Sequence, residues 1–437
     1  MKKGLKLSII FSLLINILLL FNLNSISKTQ AQEKIKIEFW YGLTGFLGET
    51  VQEKIDTFNA SQDKYEVIGV SQGDYSESYQ KLQGAIASGK APGVVLLDDY
   101  QFIPLAQRQV LMPLDELLTA HENAQVDDFV DVFWQQSDVN GQHYGIPTVA
   151  GSQIFYYRKD IFEEANISSD VMNDWETFYE AVKELTLKDD NGNVERWGWM
   201  PMWGSYNLID SALSNGASYL SEDGRTVTIN SPEWVESWDY FRKAIFDDEI
   251  MTFHHGGQGW EYWYRTIDDV HNGLAAGYIG SSGDGGDLDF DIIGAHVQPG
   301  WKGEKTKAQT GAGMMVVPMI LSDEEKAAAV EWMLYFTNTE NTADWAMKTG
   351  YVPVRDSVME LEYFQQHLEK NTALAASLEQ TTTSTITFYD PTGGEIHAAL
   401  EIAADQVMIE NIPAQDALDE AQVTAQNALD DYYADNE

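Results

Sequence analysis

Segments with strand periodicity and segments with helix periodicity alternate from residue 32 onward, and this alternation restricts the fold more than any other feature of the chain. Residues 35–40 alternate strictly between apolar and polar side chains, which predicts a strand, and residues 51–58 carry apolar side chains at helical spacing. The pattern continues with a predicted strand over 65–70, a helix over 79–87 and a buried strand over 94–97. Such alternation predicts an α/β fold with a parallel or mixed sheet, and ligands beyond the carboxyl ends of its strands.

The remaining predicted elements extend this pattern over a chain of 437 residues, which is longer than one core usually grows. Two domains are therefore expected. The predicted strands span 154–157 and 313–318, and the predicted helices span 175–187, 234–246, 266–274, 323–336, 342–348 and 395–433, the last with a break at Pro413.

Charge and cysteine content exclude several classes of function. The chain has 27 Lys and Arg against 69 Asp and Glu, a formal net charge of −42. Nucleic acid and anionic membrane surfaces are unsuitable partners for such a chain, because phosphate groups are bound by basic faces. The absence of cysteine excludes disulfides, thiolate zinc sites, cysteine nucleophiles and a lipid-modified cysteine.

The first 31 residues have the pattern of a signal peptide. Lys2, Lys3 and Lys6 precede an apolar stretch over 7–21, and small residues near Ala31 provide a cleavage site. We therefore expect export to the periplasm or the outer cell face, as a protein that is not a lipoprotein. An uncleaved anchor helix is the alternative, although the apolar stretch is shorter than the roughly 20 residues that a membrane span needs.

Metal and phosphate sites find little support in the motifs. No His-Glu-x-x-His or phosphate-binding loop is present, so no metal or cofactor is predicted. Two acidic segments, 189–193 and 284–291, contain the oxygen ligands that calcium prefers, but neither matches a calcium loop. We interpret the first as a hairpin turn on Asn191-Gly192 and the second as a solvated glycine loop.

Catalytic patterns are equally sparse. The Gly-x-Ser-x-Gly motif of a nucleophilic serine is absent. The sequence does not exclude a catalytic pair of carboxylates for glycoside hydrolysis, because it does not fix the distance between any two acidic side chains. The prediction is therefore a protein that is not an enzyme, with a secreted glycoside-active enzyme as the alternative.

Aromatic residues suggest a recognition surface instead. Tryptophan and tyrosine have flat apolar faces with a polar edge, which suits the C–H face and polar rim of a sugar ring. Trp203 and Trp260 are the best candidates for such platforms, because flanking glycines place them in loops. Trp332 and Trp345 lie on amphipathic patterns and are expected in the core.

Short segments distributed along the chain carry a family resemblance through their order and spacing. They include Phe39-Trp40, Gly73-Asp74-Tyr75, Gly89-Lys90-Ala91-Pro92, Tyr156 to Asp160, Ser281-Ser282-Gly283 and Lys348 to Pro353. With these segments the chain resembles the extracellular solute-binding proteins of bacterial ABC importers, in the carbohydrate-binding family 1 that includes glycerol-3-phosphate-binding proteins. The resemblance covers nearly the whole chain after residue 31.

This resemblance implies a two-lobed periplasmic-binding-protein fold with a ligand cleft between the lobes. The chain would cross between the lobes three times, near 145–150, 284–292 and 350. The N-terminal lobe would comprise 32–146 and 290–350, and the C-terminal lobe 147–289 and 351–437. The implied function is capture of a sugar or polyol by a monomer, which delivers its ligand to the permease subunits of an ABC importer.

The resemblance also implies a set of cleft residues. Asp99 stands where the glycerol-3-phosphate binders have glutamate, and it would accept hydrogen bonds from ligand hydroxyls. No arginine follows Arg355 to bind a phosphate, so a neutral sugar or polyol is preferred over glycerol-3-phosphate or a glycerophosphodiester. Together with Trp203 and Trp260, the expected ligand-binding residues are Trp40, Tyr75, Asp99, Gly151, Ser152, Ser281, Gly311, Tyr351 and Tyr389.

Overall fold

The computed structural model describes residues 34–121 and 123–436, so the predicted signal peptide lies outside the described residues. No helix in the described part of the chain is long and apolar enough to cross a membrane. Thirteen strands run through these residues: β1 (Ile35–Tyr41), β2 (Tyr65–Ser71), β3 (Val94–Leu97), β4 (Asp138–Val139), β5 (Gln142–His143), β6 (Gly145–Gly151), β7 (Gln153–Arg158), β8 (Leu187–Lys188), β9 (Val194–Arg196), β10 (Gly277–Ser281), β11 (Ile293–His296), β12 (Gln309–Val316) and β13 (Thr385–Ile386).

The α-helices confirm every long helix that the periodicity predicts, with boundaries that differ by a few residues. They are α1 (Gly45–Ser61), α2 (Tyr75–Ala87), α3 (Phe102–Gln107), α4 (Asp115–Ala120), α5 (Asp131–Gln136), α6 (Lys159–Glu164), α7 (Trp175–Leu185), α8 (Tyr206–Ser214), α9 (Pro232–Arg242), α10 (Glu261–His271), α11 (Asp323–Phe336), α12 (Thr339–Thr349), α13 (Glu362–Leu368), α14 (Thr372–Thr381), α15 (Glu395–Met408) and α16 (Ala414–Asn436). The predicted break at Pro413 separates the last two helices.

The strands form two main sheets. In the first, β2, β1 and β3 are parallel neighbours, and β12 lies antiparallel between β3 and β6. In the second, β7 lies between β10 and β11 and is antiparallel to both. All four residues of β3 are buried, as expected of a strand covered by helices on both faces.

Each sheet packs against its own hydrophobic core, and the protein therefore consists of two lobes. Trp332 and Trp345 are 0% and 2% exposed in the first core, as predicted. The second core contains Trp175, Trp199, Trp234 and Trp238, all fully buried, and it draws on residues 155–301 and 396–429. Helices α15 and α16 therefore pack on the second lobe although they follow the first sheet's last strand in the chain.

Two predicted crossings lie elsewhere in the structure. The chain leaves the first sheet after Gly151 and enters the second at Gln153, close to the prediction. It returns between His296 and Gln309 rather than within 284–292, because β11 pairs with β7 of the second sheet. Residues 293–296 consequently belong with the second sheet and not with the N-terminal lobe, to which they were assigned. The third crossing was predicted near residue 350, but Val352 and Val354 lie in the first core and β13 pairs with β12 of the first sheet, so the chain leaves the first lobe only after Ile386.

The two acidic segments have different structures. Residues 189–193 form the predicted hairpin turn between β8 and β9, where Asp189 accepts hydrogen bonds from the backbone N–H groups of Asn191 and Asn193 at 2.8 Å each. The second segment is not a solvated loop throughout, because Asp284 is only 5% exposed. This carboxyl group lies in the wall of the cavity described next.

Candidate functional site

A cavity of about 610 Å³ lies between the two lobes. Asp98 and Asp99, which directly follow β3, come from the first lobe. The second lobe contributes Tyr206 at the start of α8 and Ser281 at the end of β10. The cavity thus lies beyond the carboxyl ends of strands, where α/β folds commonly bind ligands, and its volume falls in the usual range of about 300–1,000 Å³ for small-molecule pockets.

Most of the residues predicted from the sequence line this cavity. Two of them are glycines that make room for other groups: a Cβ atom on Gly151 would overlap the Ser282 hydroxyl, and one on Gly311 would overlap the Asp99 carboxylate. The predicted residues that line the cavity are Tyr75, Asp99, Gly151, Ser152, Trp203, Trp260, Ser281, Gly311 and Tyr351.

Trp40 was predicted at the site but does not line the cavity. Neighbouring residues of a strand point to opposite faces, and Phe39 and Tyr41 are turned into the core, being 0% and 5% exposed. Trp40 therefore lies on the other face of β1, where its Nε1 donates a hydrogen bond to Oε2 of the exposed Glu38 at 2.8 Å. Trp40 is therefore not among the residues that line the cavity in this structure.

Tyr389 also lies outside the cavity. Its side chain is 39% exposed, and its hydroxyl oxygen accepts a hydrogen bond from Gln107 Nε2 at 3.2 Å. It lines a second cavity of about 560 Å³, which shares Asp99 and Thr387 with the first. The hydrogen bond from Thr387 Oγ1 to Asp99 Oδ2 lies in this shared wall, so the Tyr389 ring is separated from the main cavity.

Carboxylates dominate the polar lining of the cavity. Among the described residues, no lysine, arginine or histidine lines it. Burial raises the pKa of both Asp98 and Asp99, and the neighbouring Asp98 charge raises that of Asp99 further. The seven acids of the lining are Asp74, Asp98, Asp99, Asp210, Asp284, Asp287 and Glu401.

Aromatic rings form much of the remaining wall. The rings of Trp203 and Tyr262 meet almost at right angles, with centroids 5.2 Å apart, and those of Tyr75 and Trp260 do the same at 6.0 Å. All four of these rings line the cavity. The nine aromatic residues of the lining are Tyr75, Tyr100, Trp203, Tyr206, Trp260, Tyr262, Trp263, Tyr264 and Tyr351.

Two hydrogen bonds join the lobes at the edge of the cavity. Trp260 Nε1 donates to the carbonyl of Gly42 at 2.7 Å, and the Tyr264 hydroxyl donates to the carbonyl of Thr44 at 3.2 Å. Gly259 precedes this contact with φ of +52°, a conformation that favours glycine. In this conformation, the N-terminal end of α10 in the second lobe is therefore hydrogen-bonded to the loop that follows β1 in the first lobe.

The inner surface of the cavity contains polar residues that the sequence analysis missed. Asp210 accepts hydrogen bonds from the backbone N–H of Gln309 at 2.9 Å and from Gln298 Nε2 at 2.7 Å. Burial raises the pKa of Asp210 to about 7. Asn207 is 2% exposed, and its Nδ2 has no hydrogen-bond partner in the structure. Both residues lie within α8, which also contains Ser211 and Ser214, so no local motif distinguishes them.

Asp284 is a further residue that sequence analysis did not select. Its carboxylate accepts hydrogen bonds from Trp263 Nε1 at 2.9 Å and from the Tyr278 hydroxyl at 3.1 Å. Burial is the largest influence on this group and raises its pKa to about 8. Within residues 34–121 and 123–436, no three His, Asp, Glu or Cys side chains are grouped so as to hold a metal ion.

The raised pKa of Asp284 predicts a pH-dependent stability. The folded protein binds this proton more tightly than the unfolded chain does, so the free energy of unfolding falls as the pH rises from the ordinary carboxyl value toward 8. Thermal unfolding between pH 5 and pH 9 should show this loss, and Asp284→Asn should reduce its slope. Some pH dependence should remain in the variant, because burial also raises the pKa values of Asp98, Asp99 and Asp210. Equal slopes for the wild type and the variant would contradict the raised pKa of Asp284.

Replacing the cavity tryptophans should affect binding rather than folding. We expect Trp203→Ala or Trp260→Ala to weaken ligand binding by more than about 1 kcal/mol with almost no change in melting temperature, since both rings are only half-buried. Trp332→Ala, in the first core, is the matched control and should cost about 3–5 kcal/mol of stability. A large fall in the melting temperature of the two cavity variants would show that their rings are core residues.

Comparisons with known proteins agree with this architecture. The family described as bacterial extracellular solute-binding protein matches residues 53–376. The sn-glycerol-3-phosphate-binding periplasmic protein UgpB of Brucella abortus (strain 2308) is 25% identical over 363 residues, which cover 78% of this chain and 80% of that protein.

Solved structures show the same fold. UgpB from Mycobacterium tuberculosis, in complex with glycerophosphocholine, aligns with a TM-score of 0.78 and 23% identity over 91% of this chain and 98% of that one. The substrate-binding protein Lmo0181 from Listeria monocytogenes, in complex with cycloalternan, aligns with a TM-score of 0.78 and 19% identity over 91% and 99% of the two chains. The chain therefore belongs to the family of bacterial extracellular solute-binding proteins, the substrate-capturing components of ABC importers.

Proposed function

We propose that this protein captures a sugar or related polyol outside the cytoplasm, as a monomer, and delivers it to the permease subunits of an ABC importer. The observation that carries the proposal is the cavity between the lobes, in which aromatic faces and hydrogen-bonding side chains from both lobes surround one space. Flat aromatic faces suit the C–H face of a sugar ring, and carboxylates accept hydrogen bonds from its hydroxyls.

Capture follows from contacts with both lobes at once. A ligand that touches Asp99 of the first lobe and Tyr206 of the second stabilises the closed form, whereas a ligand with equal affinity for the open and closed forms shifts nothing. Hinge closure is a known motion of periplasmic binding proteins. We place the hinges where the chain passes between the sheets, near Ser152, between His296 and Gln309, and between Ile386 and Glu395.

Glycerol-3-phosphate or a glycerophosphodiester is the second candidate ligand. The names of the relatives favour it, since UgpB of Brucella abortus is a glycerol-3-phosphate-binding protein. The lining of the cavity favours a ligand without a phosphate, because in the described chain no basic side chain reaches it.

A thermal-shift screen tests the proposal directly. Ligands that bind the native state raise its apparent stability by mass action, so mono- and oligosaccharides, polyols, glycerol-3-phosphate and glycerophosphodiesters should be compared at equal concentration. We expect the largest shift from a sugar or polyol, and a larger shift from glycerol-3-phosphate would reverse the order of the two candidates. Release of new reducing ends from oligosaccharides would instead support a secreted glycoside-active enzyme.

A further inference from the structure

Three of the cavity's carboxylates gather around the start of α8, and we call Asp98, Asp99 and Glu401 the acidic cluster. The Tyr206 hydroxyl lies 3.4 Å from Asp98 Oδ2 and 3.4 Å from Asp99 Oδ1, and the neighbouring Ser205 hydroxyl donates to Glu401 Oε1 at 2.5 Å. The side-chain groups that donate to these carboxylates are thus neutral hydroxyls. In the described chain, none of the three carboxylates has a Lys, Arg or His nitrogen within 4 Å.

The histidine that acts electrostatically on this cluster, His397, contacts other groups. His397 stacks on Tyr100 with ring centroids 4.8 Å apart, and its Nδ1 lies 3.5 Å from Asp390 Oδ2. It influences Asp98 and Glu401 at longer range, where it opposes the effect of burial on their pKa values. Buried carboxylates are normally paired with cations or neutralised by protons. Burial raises the pKa of all three carboxyl groups, so protons are favoured where no cationic side chain pairs with the cluster. A cationic ligand can take the place of those protons.

Aromatic and amide groups beside the cluster complete a two-part recognition surface. The perpendicular pair Trp203 and Tyr262 lines the cavity, and the faces of such rings attract cations. Tyr262 also lies in the field of Glu401 and Asp98. The unpartnered Nδ2 of the buried Asn207 is a donor for a hydroxyl oxygen. One end of the cavity therefore suits a positive charge, and the amide suits a hydroxyl group.

We propose that the ligand is an amino sugar or amino polyol whose protonated amine is received by the carboxylates of Asp98, Asp99 and Glu401. The inference rests on the proposed function and narrows its ligand class. A primary ammonium group has three N–H donors, which match carboxylate oxygens that lack cationic partners. The same cluster repels phosphate. The sequence predicts a neutral sugar or polyol as the ligand, whereas this inference predicts a cationic one.

Matched pairs of sugars test this inference by isothermal titration calorimetry at pH 7.5. Each pair is a mono- or oligosaccharide with a 2-hydroxyl group and its 2-amino counterpart, with the 2-acetamido sugar as a neutral control of similar shape. We expect the amino member of at least one pair to bind at least tenfold more tightly than its hydroxyl and acetamido counterparts. Glycerophosphocholine is added as a probe with a quaternary ammonium group and a phosphate.

Variants link the preference to the cluster. Asp98→Asn and Glu401→Gln keep the side-chain shape and should each reduce the advantage of the amino sugar at least fivefold, while Asp190→Asn on the exposed hairpin should leave it unchanged. An unchanged advantage in the two cluster variants would overturn the assignment of the amine to these carboxylates.

The outcomes separate this inference from the proposed function. Equal or tighter binding of the hydroxyl sugars would overturn the inference and leave sugar capture intact. Tighter binding of glycerophosphocholine than of every amino sugar would also overturn it. If no sugar or polyol of any pair binds, the proposed function fails and the inference fails with it.

Discussion

Asp99→Ala is expected to lower the affinity for the ligand at least about a hundredfold, or about 2.7 kcal/mol, while the lobe stays folded. Asp99 is 8% exposed and lies in the wall shared by the two cavities. The substitution removes an acceptor that faces the ligand, together with one partner of Tyr206 from the opposite lobe. Folding should tolerate the change, because it relieves the repulsion between Asp99 and Asp98.

The measurement is calorimetric titration with the strongest ligand of the thermal-shift screen, combined with a melting curve of the unliganded variant. Asp190→Ala, on the exposed hairpin, makes the same change of charge outside the cavity and serves as the control. Unchanged affinity in Asp99→Ala would remove this residue from the ligand site. A much lower melting temperature would assign it a structural role instead.

Arg355→Ala should cause a large loss of stability, about 3–5 kcal/mol, as when one partner of a buried charged network is removed. Arg355 is 2% exposed, and its guanidinium donates to the carbonyls of Thr337 at 2.7 Å, Gln125 at 2.7 Å and Ala124 at 3.1 Å. It also lies 3.6 Å from the centre of the Phe129 ring. The last arginine of the chain is therefore part of the first lobe's structure and does not reach the cavity.

Urea unfolding of the wild type and of Arg355→Ala measures this loss. Arg108→Ala replaces an exposed arginine and should change the free energy of unfolding by less than about 0.5 kcal/mol. The folded fraction of Arg355→Ala should bind ligand with the wild-type affinity, because the residue does not line the cavity. Weakened binding at full folding, without a loss of stability, would contradict the structural role.

The fold was predictable because its signals are periodic and local. The alternating residues of β1, the apolar run of β3 and the helical spacing within α7 each identify their element without tertiary information. The boundary of the second crossing was not predictable in this way. It depends on the pairing of β11 with β7, which are more than a hundred residues apart in the chain.

The cavity residues were predictable where a local feature marks them. Trp203 and Trp260 are flanked by glycines, and Asp99 follows a buried strand. Asn207 and Asp210 carry no comparable mark, since their role comes from the helix face that the fold turns inward. Asp284 lies between Gly283 and Gly285, but its acidic segment has the pattern of a solvated loop, and only the fold shows that its carboxyl group is buried.

The position of Trp40 outside the cavity has the same origin. Its segment resembles the family, but the face of β1 on which the ring lies is set by strand alternation and by the packing of Phe39 and Tyr41 into the first core. Tyr389 follows the cavity residue Thr387 by two positions in the sequence. The hydrogen bond between Thr387 and Asp99 nevertheless separates the Tyr389 ring from the cavity.

The central claim is that two lobes close around a small molecule, with Trp260 and Tyr264 joining them in the closed state. Small-angle X-ray scattering of the protein, recorded with and without the ligand that gives the largest thermal shift, tests it most directly. We predict a smaller radius of gyration at saturating ligand and a smaller decrease in a variant that combines Trp260→Ala with Tyr264→Phe. Superimposable curves for the free and the saturated protein would contradict closure.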